Sequence, residues 1–221
     1  MTAANRAALR RSLELPSEPA WLHQVHGTTV RAINSGDRVP RQTPPEADAA
    51  YTREPGVVLA VQTADCLPIL LGATDGGEVA AIHAGWRGLC AGVIEATLAQ
   101  LATPASRLQA WLGPAIGWRC YEVGAEVRAE FLTRDPGDAA GFLPARAGHW
   151  YLDLVAIAQR RLSARGVSCV AVDGSCTHAD ARRFYSHRRD GVTGRMASLI
   201  WIAPDEGSWR GAATTWHLIR R

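Results

Sequence analysis

Three apolar runs follow one another at close range, at residues 56–62, 68–71 and 78–83. Each is short and rich in Val, Ile and Leu, the pattern of a strand buried on both faces. The gaps hold only Thr63-Ala64-Asp65-Cys66 and the turn Thr74-Asp75-Gly76-Gly77. A parallel crossover needs a dozen or more residues, so these neighbours can pair only antiparallel. Further strand-like runs at 108–112, 167–172 and 196–202 alternate with helical patterns. Leu89, Gly92, Val93 and Ala96 share one helix face, as do Val123, Val127 and Phe131 within 122–132. Tyr151, Leu154, Val155, Ala158 and Leu162 form the longest such stripe, stopped by Gly166. Together these predict an α+β single domain, with mixed β-sheets layered with helices.

At the start, residues 5–13 read as a short amphipathic helix. Residues 19–25 and 28–33 read as strands joined at Gly27, and 34–46 as a loop broken by Gly36, Pro40, Pro44 and Pro45. After Ile202 the periodicity stops at Pro204-Asp205-Glu206-Gly207. Residues 1–202 are therefore expected to form the domain, and 203–221 an extension outside its core.

Composition removes several kinds of chemistry. All 24 basic residues are arginine. Without lysine there is no Schiff-base amine and no P-loop or kinase-type nucleotide lysine. Anions must be held by guanidinium forks or backbone amides. A net charge of +3 gives no case for nucleic acid. No apolar run approaches the roughly 18 residues that span a bilayer, so no membrane partner is expected. The five cysteines, at 66, 90, 120, 169 and 176, contain no Cys-x-x-Cys. With no secretory signal, reduced thiols in a cytoplasm are the expectation.

Three segments put a His or Cys at the edge of an apolar run beside a turn: Gln24-Val25-His26-Gly27, Ala64-Asp65-Cys66-Leu67-Pro68 and His83-Ala84-Gly85-Trp86-Arg87-Gly88. Two imidazoles and one thiolate can bind zinc and leave a fourth position open, as catalytic sites do. Separately, His83 reads as a hydrogen-bonded core histidine and Cys66 as a small buried hydrophobe. The spacing matches no local zinc motif. His23 lies three residues before His26, on the opposite face of an extended strand, and is expected at the surface.

The same segments occur in order with Trp111-Leu112-Gly113-Pro114-Ala115-Ile116-Gly117 and Ser186-His187-Arg188-Arg189-Asp190-Gly191-Val192-Thr193-Gly194-Arg195. The set resembles the laccase-domain family of bacterial purine nucleoside phosphorylases, often labelled multicopper polyphenol oxidases. The resemblance implies one zinc held by His26, Cys66 and His83, which would also be the catalytic residues. It implies phosphorolysis of adenosine, inosine and S-methyl-5′-thioadenosine to base and sugar 1-phosphate, and deamination of adenosine. The partners implied are a purine nucleoside and phosphate. Arg87 stands in a glycine turn that opens a helix, a setting that favours anions. Arg188, Arg189 and Arg195 crowd a second turn. These four arginines are the candidates for phosphate, and Asp65 is a candidate acid, base or ribose contact. Asp190 is a weaker candidate for the same role.

Seven histidines and no His-x-His are too few for a multicopper set, so copper would enter the His26/Cys66/His83 site only adventitiously. Relative to the family, the N-terminal part of the domain is expected to be missing, including a Gly/Ser-rich segment with an arginine. His178 and His187 stand where tyrosine is common. Two other readings remain: a metal-free Cys/His hydrolase with Cys66 as nucleophile and His83 as base, and a non-catalytic purine-binding member.

Overall fold

A computed structural model of the chain describes residues 3–38 and 43–204. The tail beyond Pro204, read above as an extension, lies outside the described residues. The elements run α1 (Ala3–Ser12), β1 (Val30–Ala32), β2 (Ala49–Thr52), β3 (Leu59–Thr63), β4 (Leu67–Ala73) and β5 (Val79–Ala84). Next come α2 (Trp86–Ala91), α3 (Val93–Leu98), β6 (Leu108–Leu112), β7 (Glu122–Gly124), α4 (Ala125–Arg134), β8 (Phe142–Pro144) and β9 (His149–Leu152). The chain closes with α5 (Leu154–Ala164), β10 (Cys169–Val172), α6 (His187–Asp190) and β11 (Met196–Ile200).

A six-stranded sheet in the order β1-β2-β5-β4-β6-β10 carries the fold. Its centre is antiparallel, as the short gaps require, while β1–β2 and β6–β10 pair in parallel. Strand alternation sorts its side chains between two cores. Leu67, Ile69 and Leu71 of β4 and Ala80, Ile82 and Ala84 of β5 face Leu89, Val93 and Ile94, with Phe131 of α4 and Ile157, Ala158 and Leu162 of α5 behind them. Leu70, Val79 and Ala81 point the other way, onto Leu59 and Val61 of β3 and Ile200 of β11. That antiparallel β3–β11 ribbon in turn offers Val58, Ala60 and Leu199 to Leu9 of α1. The result is a single domain of four layers: helices, sheet, ribbon and one covering helix. Burial on both faces explains why β4 and β5 read as unbroken apolar runs.

Several local expectations are corrected. The expected strands at 19–25 and 28–33 shrink to isolated bridges at Ala20 and His23 and to the three residues of β1. The cause is His26, whose left-handed φ of 63° breaks the extended path. The helix expected after Leu89 splits at Gly92, which has φ 97° and caps α2 while opening α3. The helices expected from 122 and 151 start later, because 122–124 pair with 149–152, which also pair with β8, in a three-stranded sheet. The strand β2 and the strand β8 have no counterpart in the sequence reading.

Candidate metal centre

Antiparallel pairing of β5 with both neighbours brings three chain positions to one end of the six-stranded sheet. Pro68 at the start of β4 lies opposite His83 near the end of β5, so Cys66 sits just beyond His83. Ala49 at the start of β2 lies opposite Ile82, and the His83 amide donates to the Asp48 carbonyl at 2.7 Å. His26 arrives from outside the sheet on its left-handed turn. The ligand atoms of His26, Cys66 and His83 all fall within 4.8 Å of one another. The Cys66 Sγ is 3.6 Å from His26 Nε2, and the two imidazole rings meet edge to face at 4.8 Å between centroids.

Glycine makes this approach attainable. A Cβ on Gly85 would stand 2.6 Å from His26 Cδ2 and 3.0 Å from Cys66 Sγ. A Cβ on Gly88 would stand 2.9 Å from the Gly27 carbonyl oxygen. The turn after β5 therefore packs directly on the His26 turn.

Asp48, which the sequence reading passed over, ties the two histidine segments together. Its carboxylate accepts from the amides of Val25 at 3.2 Å, His26 at 2.9 Å and Gly27 at 2.7 Å. The same carboxylate meets His83 Nδ1 at 2.8 Å, leaving His83 Nε2 to face the cluster. Burial pushes the Asp48 carboxyl up, but His83 and the amides outweigh it, so it titrates below its ordinary range. Burial lowers His83, yet Asp48 and Cys66 raise it to about 9. Burial likewise pushes the Cys66 thiol up, and hydrogen bonds and charge from His26 and His83 overcome this and bring it to about 6.

The other expected residues divide sharply. Asp65, with φ 94°, does not offer a free carboxylate. It accepts from Thr177 Oγ1 at 2.6 Å, Ser186 Oγ at 3.0 Å and the Arg188 amide at 2.7 Å. These bonds tie the residue beside Cys66 to the segments at 177 and 186–188. Arg189 is committed elsewhere too. Its guanidinium donates to the carbonyls of Thr177, His178 and Phe184 and pairs with Asp190 at 2.7 Å. That pairing also occupies Asp190. Arg195 folds onto the carbonyls of Thr193 and Gly194. Arg87 and Arg188 are exposed and remain near the cluster. Arg87 lies over the Trp86 ring at 4.4 Å, and Arg188 over the Tyr121 ring at 5.1 Å. Burial pushes the Tyr121 hydroxyl up, helped by Cys66 and Asp65 and opposed by Arg188 and Arg87, which puts all of these groups in one electrostatic neighbourhood. Tyr121 was absent from the expected set. The anion-favouring helix start expected at Arg87 is weak, since α2 has only six residues. His23 is exposed, as expected.

The description "multi-copper polyphenol oxidoreductase laccase" matches residues 1–203. The chain belongs to this laccase-like family. A purine nucleoside phosphorylase of Xylella fastidiosa (strain Temecula1 / ATCC 700964) is 50% identical over 201 residues, covering 90% of this chain and 77% of the relative. The purine nucleoside phosphorylase YfiH of Escherichia coli (strain K12) is 46% identical over 199 residues, covering 90% and 79%. A crystal structure of a Neisseria meningitidis protein superposes with a TM-score of 0.83 at 41% identity, covering 90% of this chain and 80% of that one.

Within this laccase-like chain the donor set suits one ion. Bond lengths of about 2.0–2.1 Å to nitrogen and 2.3 Å to sulfur at a tetrahedral angle separate the two donors by about 3.6 Å. The Cys66–His26 spacing is the same. Among the described residues no second group of three such ligands lies as close. A multicopper array, which needs many more imidazoles, does not fit.

Proposed function

We propose that the chain is a zinc-dependent purine nucleoside phosphorylase that acts on adenosine, inosine and S-methyl-5′-thioadenosine, with adenosine deaminase activity, and works in the cytoplasm. Residues 1–202 would form the catalytic domain. The observation that carries this reading is the meeting of His26, Cys66 and His83, with Asp48 holding His83 by its outer nitrogen. A carboxylate behind a histidine is the usual support of a metal-binding imidazole. The names of the relatives supply the reaction.

In this reading His26, Cys66 and His83 hold zinc, which contributes Lewis acidity and a position left open for a reactant. Arg87 and Arg188 hold phosphate: both are exposed beside the cluster, and Arg188 spends one donor on the Glu122 carbonyl at 3.0 Å, whereas Arg189 is tied to three carbonyls and Asp190. In phosphorolysis a phosphate oxygen bonds to the anomeric carbon as the bond to the purine nitrogen breaks. The base leaves with the electron pair and takes up a proton. In deamination water replaces the 6-amino group, which departs as ammonia. Tyr121, half-buried, stands under the Arg188 guanidinium and flanks the phosphate position.

Elemental analysis of protein purified without added metal, paired with an inosine-plus-phosphate assay, tests the proposal. About one zinc per chain and phosphate-dependent release of hypoxanthine are expected. Zinc-loaded protein that releases no base overturns the phosphorylase reading.

One observation favours a second reading. A Cys66 thiol brought down to about 6 beside a His83 raised to about 9 is the pairing of a cysteine nucleophile with its base. A metal-free hydrolase would label at Cys66 with a thiol reagent regardless of zinc. A zinc-held sulfur would be protected by the metal.

A further inference from the structure

Two cysteines outside the cluster stand on adjoining segments behind it. The segments that follow β6 and β10 run side by side, with Ala115 bridged to Cys176 in parallel and the Thr177 amide donating to the Ala115 carbonyl at 2.9 Å. Gly117 sits between the two thiols. Its amide donates to Cys176 Sγ at 3.1 Å, and its carbonyl accepts from the Cys120 amide at 2.9 Å. A Cβ at position 117 would lie 3.2 Å from Cys176 Sγ, so the turn packs tightly on the sulfur. The Ala179 amide gives Cys176 Sγ a second donor at 3.4 Å. Burial and the neighbouring Cys176 together push the Cys120 thiol up.

The remaining cysteines are placed differently. Cys90 is buried beneath the helices, Cys169 is exposed on β10, and Cys66 belongs to the cluster. Cys120 and Cys176 are both half-buried, close enough to the surface for a small reagent to reach.

We propose that Cys120 and Cys176 form a dithiol that small, low-molecular-weight disulfides convert to an intramolecular disulfide, a modification site separate from the His26/Cys66/His83 cluster. Cys176, whose sulfur already faces two backbone amides, attacks one sulfur of the incoming disulfide after giving up its proton. That forms a mixed disulfide and expels one small thiol. Cys120 then loses its proton, attacks the Cys176 sulfur of the mixed disulfide and expels the second small thiol. The protein loses two hydrogens and two electrons, and the small disulfide gains them.

The position of the pair gives the bond a consequence. Cys120 precedes Tyr121, whose ring lies under Arg188, and Cys176 precedes Thr177, whose hydroxyl holds Asp65. Oxidation adds a covalent tie between these two loops. This inference does not depend on the reaction proposed above.

The test is to incubate the zinc-loaded full chain with increasing oxidised glutathione, trap free thiols by alkylation, and map the digested peptides by mass spectrometry. The expected product is a Cys120–Cys176 cross-link, lost on adding dithiothreitol, with Cys66 still a free thiol. It should form at about tenfold lower glutathione disulfide than modification of Cys169. In Cys120→Ser, glutathione should remain bound to Cys176 because nothing resolves it. The proposal is overturned if glutathione persists on Cys176 in the unsubstituted chain. It is equally overturned if the cross-link joins other cysteines, or if both thiols stay free while Cys169 is modified. Mapping the unsubstituted chain decides the matter even where a variant fails to fold.

Discussion

Asp48 and His83 are joined twice, through a backbone hydrogen bond of 2.7 Å and a side-chain contact of 2.8 Å at Nδ1. The same carboxylate takes the amides of residues 25–27, so one buried acid sets both histidines of the cluster. Replacing Asp48 with Ala should strand those amides and free the His83 ring. A loss of about 3 kcal/mol in stability and about 10–100-fold in zinc affinity is expected. Denaturant titration of the metal-free protein and competition with a chelator measure the two separately. An unchanged zinc affinity would remove Asp48 from the support of the site.

Gly85→Ala places a methyl group against His26 and Cys66. The helix layer and sheet core do not depend on this atom, so circular dichroism should be unaltered. Base release should fall by about 100-fold, the scale of a misplaced reacting group. Normal kinetics in this variant would show that His26 is not held where the structure puts it.

Arg87 and Arg189 should respond in opposite ways. Arg87→Ala removes an exposed guanidinium and should raise the KM for phosphate about tenfold while leaving the melting temperature unchanged. Arg189→Ala removes the donor to three backbone carbonyls. It should cost about 2 kcal/mol of stability, because those acceptors lose a charged donor. Steady-state kinetics in phosphate, beside thermal melts, separates the two roles.

Reactivity of Cys66 should depend on pH in an unusual place. In zinc-free protein its alkylation rate should be half-maximal near pH 6 instead of near the ordinary thiol value of 9. The linkage has two opposing parts. The depressed Cys66 contributes stability that is complete above pH 9 and lost as pH falls through about 6. The raised His83 contributes stability that is complete below 6.5 and lost as pH rises through about 9. Between these limits the slopes offset, so metal-free protein should show little net pH dependence from this pair. Cys66→Ala should expose a decline with rising pH.

The sheet was legible in the sequence where burial on both faces wrote continuous apolar runs, as in β4 and β5. It was illegible at β2, because Ala49 and Ala50 are small and lack the branched side chains that signal a strand. Asp48 carried a faint signal, a lone carboxylate among Ala47, Ala49 and Ala50. A charge in such a run must be paired or exposed, and that question points to a partner such as His83. The links from Asp65 to Thr177 and Ser186 carried none, since they join positions 112 and 121 residues apart. Arg188 and Arg189 are adjacent and chemically identical, and only the turn at α6 decides which one stays exposed and which turns onto the carbonyls of Thr177, His178 and Phe184.

The Asp65 carboxylate grips the amide of Arg188, and one peptide bond further on stands the Cys66 sulfur. The Arg188 turn and the Cys66 segment are thus moored to the same post. While this hydrogen bond holds, the Arg188 turn and the segment carrying the sulfur cannot shift independently of each other.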